Sequence, residues 1–240
     1  FLVMILGLGA MLGKLVADSG AAQQITTKLV AKFGIKNIQW ALVLTGFIVG
    51  IPLFYEVGFV ILVPLIFTIT ASTGLPLLYV GLPMLASLSV THGYLPPHPA
   101  PTAITAMFNA DMGKVLLYGI IIAIPAIAVA GPWFSRTIKN VEATPLKDFV
   151  NPTVLTEEEM PGINISIFTA LLPIILIMFS TVADLFFPKD YGFMPFVNFL
   201  GNPVIAMLIS VLVAIYTLGL ARGKRMTDIM GSMSSSISGI

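Results

Sequence analysis

The sequence predicts an all-α polytopic membrane protein, and three observations carry that reading. Of the 240 residues, 57% are hydrophobic and only 10% are charged, against about 45–50% and about 25% in soluble domains. The mean hydropathy is +1.00. The apolar residues come in long uniform runs, which a bilayer accommodates and a soluble core does not. A formal net charge of +1 gives no electrostatic footprint for DNA or RNA. The absence of cysteine excludes disulfide frameworks, iron–sulfur clusters and thiolate zinc sites. Soluble enzymes, nucleic-acid binders and disordered tails are set aside on these grounds, and the lipid bilayer is the first partner implied.

A helix needs about 20 apolar residues to cross about 30 Å of hydrocarbon. Residues 1–17 form the first such run, followed by 38–54 and 55–71 almost without a break. Residues 75–90 come next, then 115–134, 163–187 and 199–220. None alternates in the manner of a barrel strand, so helices are expected. The first run lacks the basic start and small-residue cleavage site of a secretory signal. It begins with Phe1, and residues 232–240 end in a small, weakly polar stretch, so both ends read as cut.

Residues 18–37 differ. Asp18 and Ser19 are N-cap types. Ile25, Leu29 and Phe33 are spaced by four, while Gln24, Lys28 and Lys32 occupy another face. The pattern fits an amphipathic helix at the membrane surface, with Lys28, Lys32 and Lys36 towards anionic headgroups. A solvated connecting helix is the alternative.

Topology is read by counting Lys and Arg in the connections. Three basic groups recur: Lys28, Lys32 and Lys36; Arg136, Lys139 and Lys147; Arg222, Lys224 and Arg225. The remaining connections hold only Lys114 and Lys189, with Lys14 at a span end. If the rich groups are cytoplasmic, an even number of crossings must separate Lys36 from Arg136. Four ordinary spans satisfy this. So does a re-entrant hairpin over 38–71, followed by one broken crossing over 75–108 and a return over 115–134. The second arrangement is preferred because of what sits at the breaks. Residues 1–134 then form one unit, 135–162 a solvated cytoplasmic linker with the acidic run Glu157, Glu158 and Glu159, and 163–240 the opening helices of a second unit.

The first break is Gly50-Ile51-Pro52-Leu53-Phe54-Tyr55-Glu56-Val57-Gly58. Pro52 lacks an amide hydrogen and disfavours helix at its predecessor. Non-helical backbone at membrane depth is tolerated only against protein or a watery cavity. Glu56 lies beside it, and an intramembrane carboxylate points to a proton or ion relay. Capping of the next helix outside the membrane is the plain alternative.

The second break runs from Thr91 through His92, Tyr94 and His98 to Thr102, with four prolines within the six residues 96–101. Such a segment is expected to be extended, with helix resuming after Pro101. It holds both histidines of the chain, the side chain most readily protonated near neutral pH. Free amides at the resumed helix would favour an anion. Discontinuous helices meeting at the midplane are how many secondary transporters build substrate sites. An external proline-rich loop is the alternative. No H-E-x-x-H pair, P-loop, Rossmann fingerprint or G-x-S-x-G elbow is present, so neither a metal nor another cofactor is expected.

Three strings, GLGAMLGKLVADSGAAQQ (7–24), GIPLFYEVGFVILVP (50–64) and THGYLPPHPAPTA (91–103), resemble the gluconate:proton symporter family of bacterial permeases. The resemblance runs along the whole chain. It implies an ion-transporter architecture of two inverted repeats, each with a re-entrant hairpin and a broken helix, of which this chain would hold about the first. It also implies uptake of gluconate or a related sugar acid with protons across the inner membrane, with H+ as the coupling ion. A homo-oligomer is compatible with it.

Within that frame, chemistry assigns Glu56 and His92 to the coupling proton. His92 or His98 and the amides after Pro101 would take the carboxylate, with Tyr55, Thr91 and Thr102 for sugar hydroxyls. Two rivals stand beside it: a membrane-embedded metal enzyme built on His92, His98 and Glu56, and a passive anion channel.

Overall fold

The computed structural model describes residues 2–143, 155–188 and 191–237, and among these all regular structure is helical. The helices are α1 (Leu2–Asp18), α2 (Ala21–Phe33), α3 (Ile38–Gly50), α4 (Tyr55–Thr73), α5 (Leu77–Tyr94) and α6 (Pro99–Met107). Then come α7 (Met112–Ala128), carried on through a π-turn into α8 (Phe134–Thr137), and α9 (Ile163–Phe186). The last are α10 (Met194–Gly201), α11 (Pro203–Ala214) and α12 (Met226–Ile237). Four helical stretches are long and apolar enough to cross a membrane, or five if α1 and α2, bent by 59° at their junction, count as one broken span. Leu12, Leu42, Leu62, Met84 and Leu88 form a fully buried core between α1, α3, α4 and α5. Large apolar residues on α7 and α9, such as Ile124 (67% exposed) and Phe179 (56% exposed), face outward, as lipid-facing surface does.

The basic groups gather at one end of the bundle. Gln39, at the start of α3, donates to the Ser135 hydroxyl (2.7 Å) and the Tyr79 carbonyl (3.2 Å) and accepts from Arg136 Nε (3.2 Å). Lys28 pairs with Glu157, and Arg222 donates to the Glu158 carbonyl. Lys224 reaches the Asp18 carbonyl at 3.0 Å. Lys36 and Arg136 therefore lie at the same end, as an even number of crossings requires. Lys147 lies outside the described residues.

From that end, α3 and α5 run side by side in the same direction. Gln39 faces Tyr79, the Ser87 hydroxyl donates to the Val43 carbonyl (2.8 Å), and Gly50 meets Thr91. Helix α4 brings the chain back to the starting end, where Gly74 in the left-handed region (φ 69°) turns it into α5. The turn after α3 thus stops at the depth where α5 breaks, while α6 carries the chain further.

Several elements differ from expectation. Helix α2 is amphipathic, but its apolar face packs on protein: Ala21, Ala22 and Ile25 are fully buried against neighbours that include α3, α4 and α9. Gln24, expected on the polar face, is buried too. The helix starts after Gly20 in a left-handed conformation (φ 77°) rather than on an Asp18 cap, while the Ser19 hydroxyl accepts from Ala21 N (3.3 Å). The end of the linker is not a free solvated loop. Leu155 exchanges two hydrogen bonds with the Gln23 side chain (2.9 and 3.2 Å), and Met160 is buried. Glu159 is held below the usual carboxylate range by the Thr156 backbone N–H and then by the Thr156 hydroxyl. Residues 144–154 of the linker are outside the described residues.

The run 199–220 is not one helix. Asn202 interrupts it, its side chain accepting from Val204 N (3.0 Å) to cap α11, with Pro203 at the first helical position where no amide hydrogen is needed. Helix α5 continues through Thr91 and His92 to Tyr94, because the first conformational restriction comes at Leu95, the residue before Pro96. Of the four prolines expected to be extended, Pro99 and Pro101 open α6; a helix tolerates proline in its first turn.

Candidate functional site at the joint of the two breaks

The two interruptions meet. His98, 5% exposed, donates from Nε2 to the Gly50 carbonyl at 2.8 Å. A Cβ on Gly50 would lie 2.2 Å from the Thr91 hydroxyl oxygen, so only glycine allows α3 to approach α5 this closely. The Thr91 hydroxyl donates back to the carbonyls of Leu88 (2.8 Å) and Ser87 (3.1 Å). The His92 ring stands edge-on to His98 (centroids 4.7 Å apart) and to Phe54 of the first break (6.0 Å). Helix α1 closes the other side: a Cβ on Gly13 would sit 2.8 Å from the Pro52 carbonyl, and Gly9 faces the Phe54 ring.

Some polar atoms at the joint have no partner in the protein. His92 Nδ1, the Thr102 hydroxyl and the Tyr94 hydroxyl are buried without a hydrogen bond. Buried polar groups are nearly always paired, so these atoms leave hydrogen bonds for a ligand or water to complete, as Gln24, Thr70 and Asp184 do elsewhere. Among the described residues no three His, Asp or Glu side chains gather as a metal-ligand set.

The sequence-chosen residues divide into two kinds. Thr91 and His98 hold the joint together: the Thr91 hydroxyl and His98 Nε2 are engaged with backbone carbonyls. His92 and Thr102 keep free polar atoms. Tyr55, half-buried, opens α4 and lies near the Phe59 ring (6.1 Å). Glu56 is next, in the first turn of α4, exposed, at a cavity of ≈ 410 Å³. No side chain makes a capping hydrogen bond at the start of α4, where Glu56 stands in the first turn.

The expected amide anchor is thin. Pro99 and Pro101 have no N–H, His98 N bonds the Leu95 carbonyl (3.2 Å) and Thr102 N bonds the His98 carbonyl (3.0 Å). Ala100 is the remaining donor of the first turn. Sequence reasoning gives Lys14 no role beyond a span end, and the structure adds one. Lys14 lines the same cavity as Glu56, with Ser235 and Ser236 of α12 opposite. Nothing local in the sequence pairs residue 14 with residues 56 and 235; only the packing of α1 between α4 and α12 does.

A bundle with four or five helical stretches long and apolar enough to cross a membrane, and with two interrupted segments joined beside a cavity, defines a polytopic membrane protein. The chain belongs to the GntP family permeases, whose profile matches residues 1–240. It is 54% identical to the high-affinity gluconate transporter of Escherichia coli (strain K12) over 236 residues, 98% of this chain and 54% of that protein. It is 53% identical to the Gnt-II system L-idonate transporter of the same strain over 239 residues, 100% of this chain and 54% of that protein. It is 48% identical to the gluconate permease of Bacillus subtilis (strain 168) over 249 residues, 100% of this chain and 56% of that protein. The chain spans about half the length of the curated relatives it matches. No solved structure matches it.

Proposed function

We propose that this chain is part of a secondary transporter, not an enzyme, that moves gluconate or a closely related sugar acid together with protons across the bacterial inner membrane. The observation that carries the reading is the joint: Gly50 and His98 tie two broken segments together, and His92 Nδ1 and the Thr102 hydroxyl are left unpaired beside it. Relatives of nearly equal identity are named for gluconate and for L-idonate, so the substrate class is a six-carbon sugar acid. The basic end faces the cytoplasm. Helices α3 and α4 form a re-entrant hairpin, α5–α6 and α7 the following crossings, and residues 163–240 begin a second, inverted repeat. The return of α4 fits a full hairpin equally well; the meeting of the α3 end, at Gly50, with Thr91 beside the break in α5 supports the re-entrant arrangement.

Charge explains the coupling. An anionic substrate beside Glu56 is repelled while that carboxylate is ionised. Protonation of Glu56 removes the repulsion, so proton and anion bind together and leave together. His92, in ring contact with the first break, hands the proton on. No cofactor takes part; H+ is the coupling ion.

The test is uptake of labelled gluconate into energised vesicles carrying the protein as its gene encodes it, with and without an imposed proton gradient. Accumulation that collapses with the gradient is expected. Downhill flux that never accumulates would replace this reading with a passive channel.

A further inference from the structure

The carboxylate of the substrate needs a positive partner, and the opening of α6 supplies almost none. Lys14 does. It lines the ≈ 410 Å³ cavity with Glu56, Phe54, Ser235 and Ser236, and an adjoining cavity of ≈ 380 Å³ runs from Glu56 along α4 to Asp18 at the basic end. Pockets of about 300–1,000 Å³ are the usual size for small ligands.

The present partner of Lys14 is a weak one. Its ammonium lies 2.9 Å from Asp18 Oδ1, one helical turn on, and both side chains are about a third exposed. Pairs of this spacing contribute little, and the order with Lys preceding the acid is the poorer one for a helix. The pair can therefore open without much loss. Ser235 and Ser236 spend their protons on the carbonyls of Ser232 (2.8 Å) and Met233 (2.7 Å), which leaves oxygen lone pairs for substrate hydroxyls to donate to.

We infer that Lys14 is the carboxylate anchor of the sugar-acid site, its ammonium exchanging Asp18 for the incoming carboxylate while Ser235 and Ser236 accept from the hydroxyls. The inference rests on the sugar-acid reading above. It brings α12, beyond the linker, into the site that the first unit begins.

The experiment measures initial rates of gluconate uptake in the protein as its gene encodes it. Lys14→Gln is expected to raise KM about tenfold or more, the loss of one hydrogen bond to a charged group, with the saturated rate retained. Lys14→Arg restores the KM, and Asp18→Asn leaves it equal or lower because a competitor is removed. An unchanged KM in Lys14→Gln would overturn the inference. So would Asp18→Asn matching Lys14→Gln, since that is the signature of a structural ion pair. This chain has no native cysteine, so Lys14→Cys, with any cysteine outside these 240 residues replaced, provides a check that survives poor insertion of the Gln variant. An aminoethyl thiosulfonate, which rebuilds a positive charge at position 14, is expected to restore uptake where the neutral methyl reagent does not, and gluconate should protect the thiol. Equal effects of both reagents would overturn the anchor. Absence of saturable gluconate uptake by the unsubstituted protein would overturn the sugar-acid reading instead.

Discussion

Gly50 and His98, 48 residues apart, are joined by a 2.8 Å hydrogen bond from the imidazole Nε2 to the glycine carbonyl. The bond satisfies a carbonyl released where α3 ends, and it fixes the depth at which the second break faces the first. Removing the imidazole leaves that buried carbonyl unpaired. His98→Ala should therefore destabilise by about 1–3 kcal/mol, read as a lower thermal midpoint of the detergent-solubilised protein. His98→Gln, whose amide can donate, should recover part of the loss. A midpoint equal to wild type in His98→Ala would show that the joint does not depend on this bond.

The contact between Gly50 and Thr91 is steric. Gly50→Ala places a methyl group 2.2 Å from the Thr91 hydroxyl oxygen, an overpacking that costs about 1–3 kcal/mol. Thr91→Ala removes that oxygen, so the double variant should be more stable than Gly50→Ala alone. Additive losses in the cycle would mean that the two residues do not touch.

Thr102 allows stability and function to be separated. Its hydroxyl is buried without a partner, so Thr102→Val removes an unsatisfied group and should leave the thermal midpoint equal or higher. If the hydroxyl meets a substrate hydroxyl, the same variant raises KM for gluconate. Unchanged KM together with unchanged stability would remove Thr102 from the site.

Glu56→Gln mimics the protonated acid permanently. Gluconate accumulation driven by a proton gradient should be lost, whereas exchange of external for internal gluconate, which needs no net proton movement, should continue. Accumulation by the Gln variant at the wild-type level would exclude Glu56 as the coupling group.

At the basic end the expected effects are small. Lys28 and Glu157 form an exposed pair, so Glu157→Gln should cost no more than about 1 kcal/mol. The charge-swapped pair Lys28→Glu with Glu157→Lys should restore most of it, again by thermal midpoint. A loss well beyond that range would mean that the segment 155–162 is held by this pair rather than by Gln23 and the buried Met160.

Much of the fold is legible in the sequence because its causes are local. Span length and hydropathy mark four of the stretches able to cross. Pro52 and Pro96 stand at the two breaks, where a proline restricts the residue before it and removes a donor, although Pro64, Pro83, Pro125 and Pro173 lie inside helices. The grouping of Lys and Arg in three connections carries the parity of the crossings, and the structure brings Lys28, Arg136 and Arg222 to one end. The family strings at 7–24, 50–64 and 91–103 match a real kinship.

Tertiary structure decided the rest. Whether Pro99 and Pro101 lie in extended chain or open a helix depends on the helix-forming residues after them and on His98 finding Gly50. Gln24 has a polar side chain on an amphipathic pattern, yet α2 is wedged among α3, α4, α9 and the segment 155–162, so the expected surface is an interior. Thr91 and His98 look like binding residues by type, and packing adds a second task, since the Thr91 hydroxyl and His98 Nε2 hold backbone carbonyls at the joint. Lys14 looks like a span end but enters the cavity because α1 packs between α4 and α12. Local sequence marks where a helix can break; packing decides which prolines do break it and which side chains then meet across the breaks.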